Sequence, residues 1–399
     1  MKLPPQPWMA RAGARRILAA LDGDTRIVGG AVRDGLLGLA VADVDLATRL
    51  RPDEVIHRLE AADIKAVPTG IAHGTVTAIA EDSVIEVTTL RRDVATDGRH
   101  AEVAFSEDWR EDAGRRDFTI NALYADPTSG EIFDYFGGLD DLAARCVRFI
   151  GDPLQRIAED HLRILRFFRF HARFGGAPHQ PSLDACAARA NDLMALSRER
   201  IRDELLKLLC VADPLPTLRL MLDRGILAPV FPEVKPDRLG ALERLVAIEG
   251  ALAVPCEPLR RLATLLPAEA ALLGDVAARL RLSNLERKRL VATADRLAAI
   301  PAAPAALAYR AGADTAADLL LLAADAPAAV AAPLAVLRDW REPRLPISGR
   351  DLIALGVPMG PAVSRLLLKV EDDWVEAGFP PDRDAVLALA RQALASASR

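Results

Sequence analysis

Arg26-Ile27-Val28-Gly29-Gly30-Ala31-Val32-Arg33-Asp34, followed by Asp43-Val44-Asp45, is the stretch on which the reading of this chain turns. Residues 26–28 suit a short strand running into two glycines, and residues 31–38 suit a helix that starts at once. That geometry exposes backbone N–H groups and the positive end of a helix, a natural seat for phosphate. Arg33, about one turn in, adds a charge-assisted donor. Glycine pairs before helices also occur where nothing binds, so Gly29 and Gly30 count only together with their neighbours. Residues 43–47 alternate as a strand does, which sets Asp43 and Asp45 on one face. Two carboxylates there repel unless a cation sits between them. Mg²⁺ takes oxygen ligands, often one or two carboxylates plus substrate phosphates, and a pair of such ions activates a 3′-hydroxyl and meets the charge of leaving pyrophosphate.

Working outward, the spacing predicts a helix over 11–21, a hairpin of strands 75–80 and 83–89, a helix over 117–125 and a short strand over 131–133. Glu86 shares a strand face with Val84 and Thr88 while Ile85 and Val87 face the core. It stands equally as a third carboxylate or as a solvent-facing side chain. Residues 91–112 are polar and charged and fit a mobile loop. Arg115 and Arg116, just before the expected helix, could reach nucleotide phosphates or ribose, or simply solvate a helix start that Asp117 caps.

After Gly151 the strand signals nearly vanish. Residues 153–173, 183–195, 199–211, 214–224, 237–252 and 258–266 carry helical apolar spacing, with Pro, Gly and Asn at the breaks. The Ala-rich stretch 301–336 reads as helical packing because leucines recur through it. On the first of these helices Asp160, Arg163, Arg166, Arg169 and Arg173 form a slowly winding band. Asp160 and Arg163, three apart, present acceptors and donors that can read a base edge, or form an ordinary i,i+3 ion pair. In 197–206 charges of both signs alternate, which favours bracing of the previous helix over RNA contact.

The bulk composition sets bounds. A chain of 399 residues, 51% hydrophobic, is long enough for two or three domains. With a formal net charge of −5, it is no general polyanion binder, and any RNA contact must use local basic patches. Four scattered cysteines fit no zinc spacing and suit reduced thiols in a cytoplasmic protein. No signal peptide and no membrane span is read, and no protein partner is evident.

Taken in order, Gly29 to Asp34, Leu36-Leu37-Gly38, Asp43 to Thr48, Ile85 to Arg91, Asp97 to His100, Arg115 to Ala122, Phe133 to Gly138 and Glu159 to Arg163 resemble the class II tRNA nucleotidyltransferases (CCA-adding enzymes) and bacterial poly(A) polymerases. The resemblance is specific over about residues 24–210. It implies an α+β fold: a nucleotidyltransferase head with a small, five-stranded mixed sheet over 1–145, then an all-helical neck over 146–212 that selects the nucleotide and a helical body and tail over 213–399 that bind RNA. It implies metal binding by Asp43 and Asp45 and nucleotide contacts from Gly29, Gly30, Arg33, Arg116, Arg166 and Arg169. Asp160 and Arg163 would serve as a protein template for CTP and ATP, residues 91–112 would be the loop that switches from C to A addition, and the cofactor would be Mg²⁺. The implied function is addition of CCA to the tRNA 3′ end, with poly(A) synthesis, CC-only or A-only addition, and a non-catalytic RNA-binding scaffold as the rivals. The C-terminal residues are not strongly basic, which leans away from a poly(A) polymerase.

Overall fold

A computed structural model describes residues 1–97, 100–297 and 303–397. The chain divides into two compact units, Met1–Pro232 and Glu233–Arg399.

The first unit opens with helix α1 (Ala12–Ala20), strand β1 (Thr25–Val28), helix α2 (Gly30–Leu36), strand β2 (Asp45–Thr48) and helix α3 (Pro52–Ala61). Strands β3 (Lys65–Gly70), β4 (Thr75–Ala80) and β5 (Ser83–Thr89) follow, then a separate hairpin of β6 (Arg91–Asp97) and β7 (His100–Phe105). Helix α4 (Trp109–Gly114), strands β8 (Leu123–Ala125) and β9 (Ile132–Asp134) and helix α5 (Gly138–Ala143) complete the head. The sheet has seven strands, not five, in the order β3-β4-β5-β2-β1-β8-β9. Only β2 and β5 pair in parallel, Asp45 opposite Glu86; every other neighbour is antiparallel. One face packs Val28, Ala47, Ala122 and Tyr124 against Trp109 and Leu90.

Three local expectations fail. Residues 117–125 are not a helix: a 3₁₀ turn over Thr119–Asn121 leads into β8, whose Tyr124 pairs with Val28 of β1 and Phe133 of β9. The apolar run there fits strand or helix by pattern, and pairing on both edges decides it. Residues 91–112 carry a hairpin and most of α4 instead of a featureless loop; Gly98 and Arg99 lie outside the described residues. β2 begins at Asp45, so Asp43 precedes the strand and does not share its face by strand alternation.

The helical part of this unit starts with α6 (Pro153–Glu159) and α7 (Leu162–Phe174), followed by α8 (Gln180–Ala188), α9 (Arg198–Leu209) and α10 (Leu215–Asp223). The single helix expected over 153–173 is broken at Asp160, which is extended (φ −154°, ψ 106°) and accepts the Leu162 N–H at 3.1 Å. α7 is fixed by aromatic packing: Phe118 lies 5.5 Å from Phe170 and 4.9 Å from Phe149, ring centre to ring centre, and Phe149 stacks on Phe167. Buried aromatic pairs of this kind add about 0.5–1.5 kcal/mol each beyond their burial.

The second unit is helical throughout its described residues: α11 (Leu239–Ala251), α12 (Pro258–Thr264), α13 (Ala270–Arg279), α14 (Asn284–Ala292), α15 (Pro304–Ala311), α16 (Ala313–Ala323), α17 (Pro327–Arg338), α18 (Gly349–Ala354), α19 (Pro361–Glu376) and α20 (Arg383–Ala397). The Ala-rich region is packed helix, as its leucines imply; Leu320, Leu321, Val330 and Leu337 are buried in one core with Leu245 and Ile248. A second core centres on Trp374 with Val370, Val386 and Ala390. Among the described residues no helix is long and apolar enough to cross a membrane. Cys146 and Cys186 carry free thiols, whereas Cys210 and Cys256 do not, a departure from the expectation that all four are reduced.

Candidate active site

β1 ends at Val28, and Gly29 turns the chain with φ +68°, a conformation that favours glycine. A Cβ at Gly29 would also stand 3.3 Å from Arg116 Nη1. The turn delivers α2, and with it Arg33, into a cavity of about 420 Å³. Gly29, Gly30, Arg33, Asp43, Asp45, Arg116, Arg166 and Arg169 all line this cavity. Residues from sequence positions far apart, predicted separately, thus share one wall.

Their electrostatics are uneven. Asp45 lines the cavity and is exposed to solvent; loss of water to the surrounding protein first, then the neighbouring Glu86 charge, raises its carboxyl above the ordinary range, with Asp43 acting in the same direction. A carboxylate held so favours a cation. Glu86 is exposed on β5 and lies beside Asp45 across the parallel pair, but it does not line the cavity. Among the described residues no group of three or more His, Cys, Asp or Glu is disposed to hold a metal ion. Asp43 and Asp45 therefore stand as a two-carboxylate set, enough for Mg²⁺ when substrate phosphates supply further oxygens.

The cations are held by a chain of polar contacts. Arg33, only 4% exposed, donates through Nε to Asp34 at 2.8 Å and through Nη1 to the Asn121 amide oxygen. Asn121 Nδ2 donates to Asp117 Oδ1 at 2.9 Å, and Asp117 Oδ2 accepts Arg166 Nε and Nη2 at 2.8 and 2.6 Å. Burial pushes the Asp117 carboxyl up, but Arg166 and Asn121 outweigh it and hold it below its usual value. Burial likewise depresses the Arg33 guanidinium, against the pull of Asp34. Arg169 donates to Glu204 of α9 at 2.5 Å, and Arg173 to Asp34 at 2.9 Å. Arg116 donates to the Tyr124 hydroxyl at 3.3 Å and to Asp112 at 3.4 Å. Burial raises Asp112, yet Arg116 and Arg115 pull it down to about 2.

Asp160 and Arg163 do not line the cavity and are not paired with each other. The helix break separates them: Asp160 accepts Arg200 of α9 at 2.8 Å, and Arg163 donates to Glu159 at 2.5 Å and to the Arg115 carbonyl at 3.2 Å. Glu204 ties α9 to α7 and Arg200 ties it to the junction before α7, a brace of the kind its alternating charges suggest. Sequence reading gave no site role to Asp34, Asn121 or Phe170, which also line the cavity, and gave Asp117 only a capping role. The signal available was the four-residue spacing of Asp117 and Asn121 directly after Arg116; their hydrogen bond needs the 3₁₀ turn that the pattern did not reveal.

A Gly-Gly turn and two carboxylates at and just before a strand of a mixed sheet, sharing a cavity with the arginines of a helix, define the head of a nucleotidyltransferase. Residues 25–148 match the family described as "Poly A polymerase head domain", and residues 178–238 match "Probable RNA and SrmB- binding site of polymerase A". The "CCA tRNA nucleotidyltransferase 1, mitochondrial" of Mus musculus is 34% identical over 387 residues, covering 92% of this chain and 87% of that protein. A "CCA-adding enzyme" of Levilactobacillus brevis is 41% identical over 224 residues, 55% of this chain and 54% of that one. The crystal structure of the Bacillus stearothermophilus CCA-adding enzyme in complex with CTP superimposes with a TM-score of 0.79 at 26% identity, covering 97% of this chain and 99% of that chain. The chain belongs to the CCA tRNA nucleotidyltransferase family.

Proposed function

We propose that this enzyme adds CCA to the 3′ end of tRNA from CTP and ATP, releasing pyrophosphate, with Mg²⁺ as cofactor. The observation that carries this reading is the single cavity in which Asp43 and Asp45 face Arg33, Arg116, Arg166 and Arg169. CCA-adding relatives across nearly the whole chain favour this product over poly(A).

Asp43 and Asp45 would hold the metal. When bound, Mg²⁺ lowers the pKa of the attacking 3′-hydroxyl and neutralises charge on the phosphates. Arg33 and the backbone after Gly29 and Gly30 orient the triphosphate, and Arg116 meets the nucleotide near its ribose. Arg166 and Arg169 approach from α7 with their guanidiniums already fixed by Asp117 and Glu204, so little reorganisation is left for the reaction. The contribution of these residues is positioning and charge. Asp160 and Arg163 select the base; what supports this role is their place at the α6–α7 junction, within about a turn or two of Arg166 and Arg169. Glu86 acts on Asp45 through its charge, without contact with the nucleotide.

The test is incubation with Mg²⁺, CTP and ATP of a tRNA lacking CCA and, separately, an unstructured RNA, with product lengths read on a gel. Three added nucleotides on tRNA followed by a stop are expected. A long A ladder means a poly(A) polymerase, a stop after two C residues means a CC-adding enzyme, and no extension returns the scaffold reading.

A further inference from the structure

The second unit contains a cavity of about 430 Å³ into which three arginines converge. Arg238 stands immediately before α11, Arg244 lies about one and a half turns into it, and Arg296 comes from the 3₁₀ segment Thr293–Leu297. Arg296 is anchored through the carbonyls of Thr293 and Leu266, at 3.2 and 3.3 Å. Among the described residues no carboxylate lies within ion-pair distance of any of the three. One acid, the exposed Asp325, shares the cavity, and the carbonyl end of α16 offsets a further part of the charge.

Elsewhere in this unit the fold supplies its enclosed arginines with carboxylates. Arg260 and Arg261 share Glu249 at 2.7 and 2.8 Å, while Arg260 and Arg289 share Asp318 at 3.1 and 2.6 Å. In the cavity, Arg238 and Arg296 are partly buried and Arg244 is exposed, and none of the three has a carboxylate partner among the described residues. Burial first, and then the charge of Arg238, holds the Arg296 guanidinium below its ordinary value, which puts the two within electrostatic reach. Converging guanidiniums without carboxylates match the oxygens of a phosphate, which accepts their planar forks bidentately. The apolar side chains of Leu245, Leu321 and Leu322 in the same wall reduce screening and strengthen such a contact.

We propose that this cavity is an oxyanion site that takes a phosphate group, and that in the working enzyme the group is a backbone phosphodiester of the RNA substrate. The RNA assignment rests on the function proposed above; the anion site itself does not. The alternative source of the same chemistry is free phosphate.

The test uses the full chain with Arg244→Gln and Arg238→Gln, and with Arg310→Gln as a control for net charge, since Arg310 lies in the same unit but is exposed and paired with Asp372. Filter binding of a tRNA lacking CCA, without nucleotide, is measured across a salt series, and thermal melts are recorded against inorganic phosphate. For an RNA phosphate, each cavity variant weakens tRNA binding several-fold and lowers the salt slope by about one. The control matches wild type. An upward melt shift by phosphate, lost in both cavity variants while RNA affinity and slope stay at wild-type values, assigns the site to free phosphate and overturns the RNA part. Wild-type behaviour of both variants in both assays overturns the site. Neither assay reads turnover, so failure of the wild type to add CCA would remove the proposed function and leave this result interpretable.

Discussion

Asp45 and Glu86 stand directly opposite each other on the parallel β2–β5 pair, and the charge of Glu86 raises the Asp45 carboxyl second only to burial. The folded protein therefore holds two repelling carboxylates side by side at the edge of the proposed cation site. Asp45→Asn is expected to raise the melting temperature of the metal-free protein while lowering turnover on the order of 10³-fold, since metal and ligand supply several kcal/mol to such reactions. Glu86→Gln should share the gain in melting temperature and retain most of the turnover. Added Mg²⁺ should raise the wild-type melting temperature and leave that of Asp45→Asn unmoved. Full turnover in Asp45→Asn would refute the metal assignment.

The side chains of Asp160 and Arg200 are 29% and 34% exposed, and such pairs contribute roughly 0–1 kcal/mol to stability. Arg200→Ala should leave unfolding by urea nearly unchanged. Asp160→Ala should relax nucleotide choice, reducing the preference for CTP over UTP by about 5- to 150-fold, the 1–3 kcal/mol of a good base-edge contact. Arg200→Ala should shift the same ratio in the same direction, by less. A CTP:UTP ratio unchanged in Asp160→Ala would move base selection elsewhere.

Asp112 gives a pH signature. Its folded pKa of about 2 lies below the ordinary value of 3.8, so its contribution is fully present above about pH 4 and is lost as pH falls towards 2. The depression corresponds to about 2 kcal/mol. Asp112→Asn should be less stable than wild type by about that amount at pH 7, and the gap should close near pH 2. An equal gap at both pH values would show that shape, and not charge, accounts for the loss.

Asp318 is buried and serves Arg260 and Arg289 together. Removing a carboxylate from a buried ion network typically costs about 3–5 kcal/mol, because the arginines stay behind uncompensated. Asp318→Ala should lower the urea midpoint of the second unit accordingly. A loss below about 1 kcal/mol would mean that water replaces the carboxylate.

Much of this molecule is legible in its sequence, and the exceptions share a cause. The β4–β5 hairpin falls at residues 75–80 and 83–89 because strict alternation and a polar turn specify it locally. The cavity residues Gly29, Gly30, Arg33, Asp43, Asp45, Arg116, Arg166 and Arg169 could be named in advance because their motifs, weak one by one, resemble a nucleotidyltransferase head when read together and in order. What was not legible depends on partners distant in sequence. Residues 117–125 become a turn and a strand because β1 and β9 flank them. The break at Asp160 carries no Pro or Gly to announce it. Its side chain is held by Arg200, forty residues away in the chain, and no local pattern contains that contact.

The parallel pairing of β2 with β5 has a consequence for how the protein reaches its native state. A parallel pair cannot be joined by a tight turn, and here α3, β3 and β4 all lie between the two strands. Asp45 and Glu86 are thus strangers in every partly folded chain in which that long loop has not closed. Their repulsion burdens the finished sheet and not its precursors. A divalent ion that binds the finished sheet discriminates between the two, because a ligand that recognises only the native form stabilises it by mass action. The metal proposed for turnover would in this way also act as a checkpoint on folding, tightening the equilibrium only once the sheet is complete.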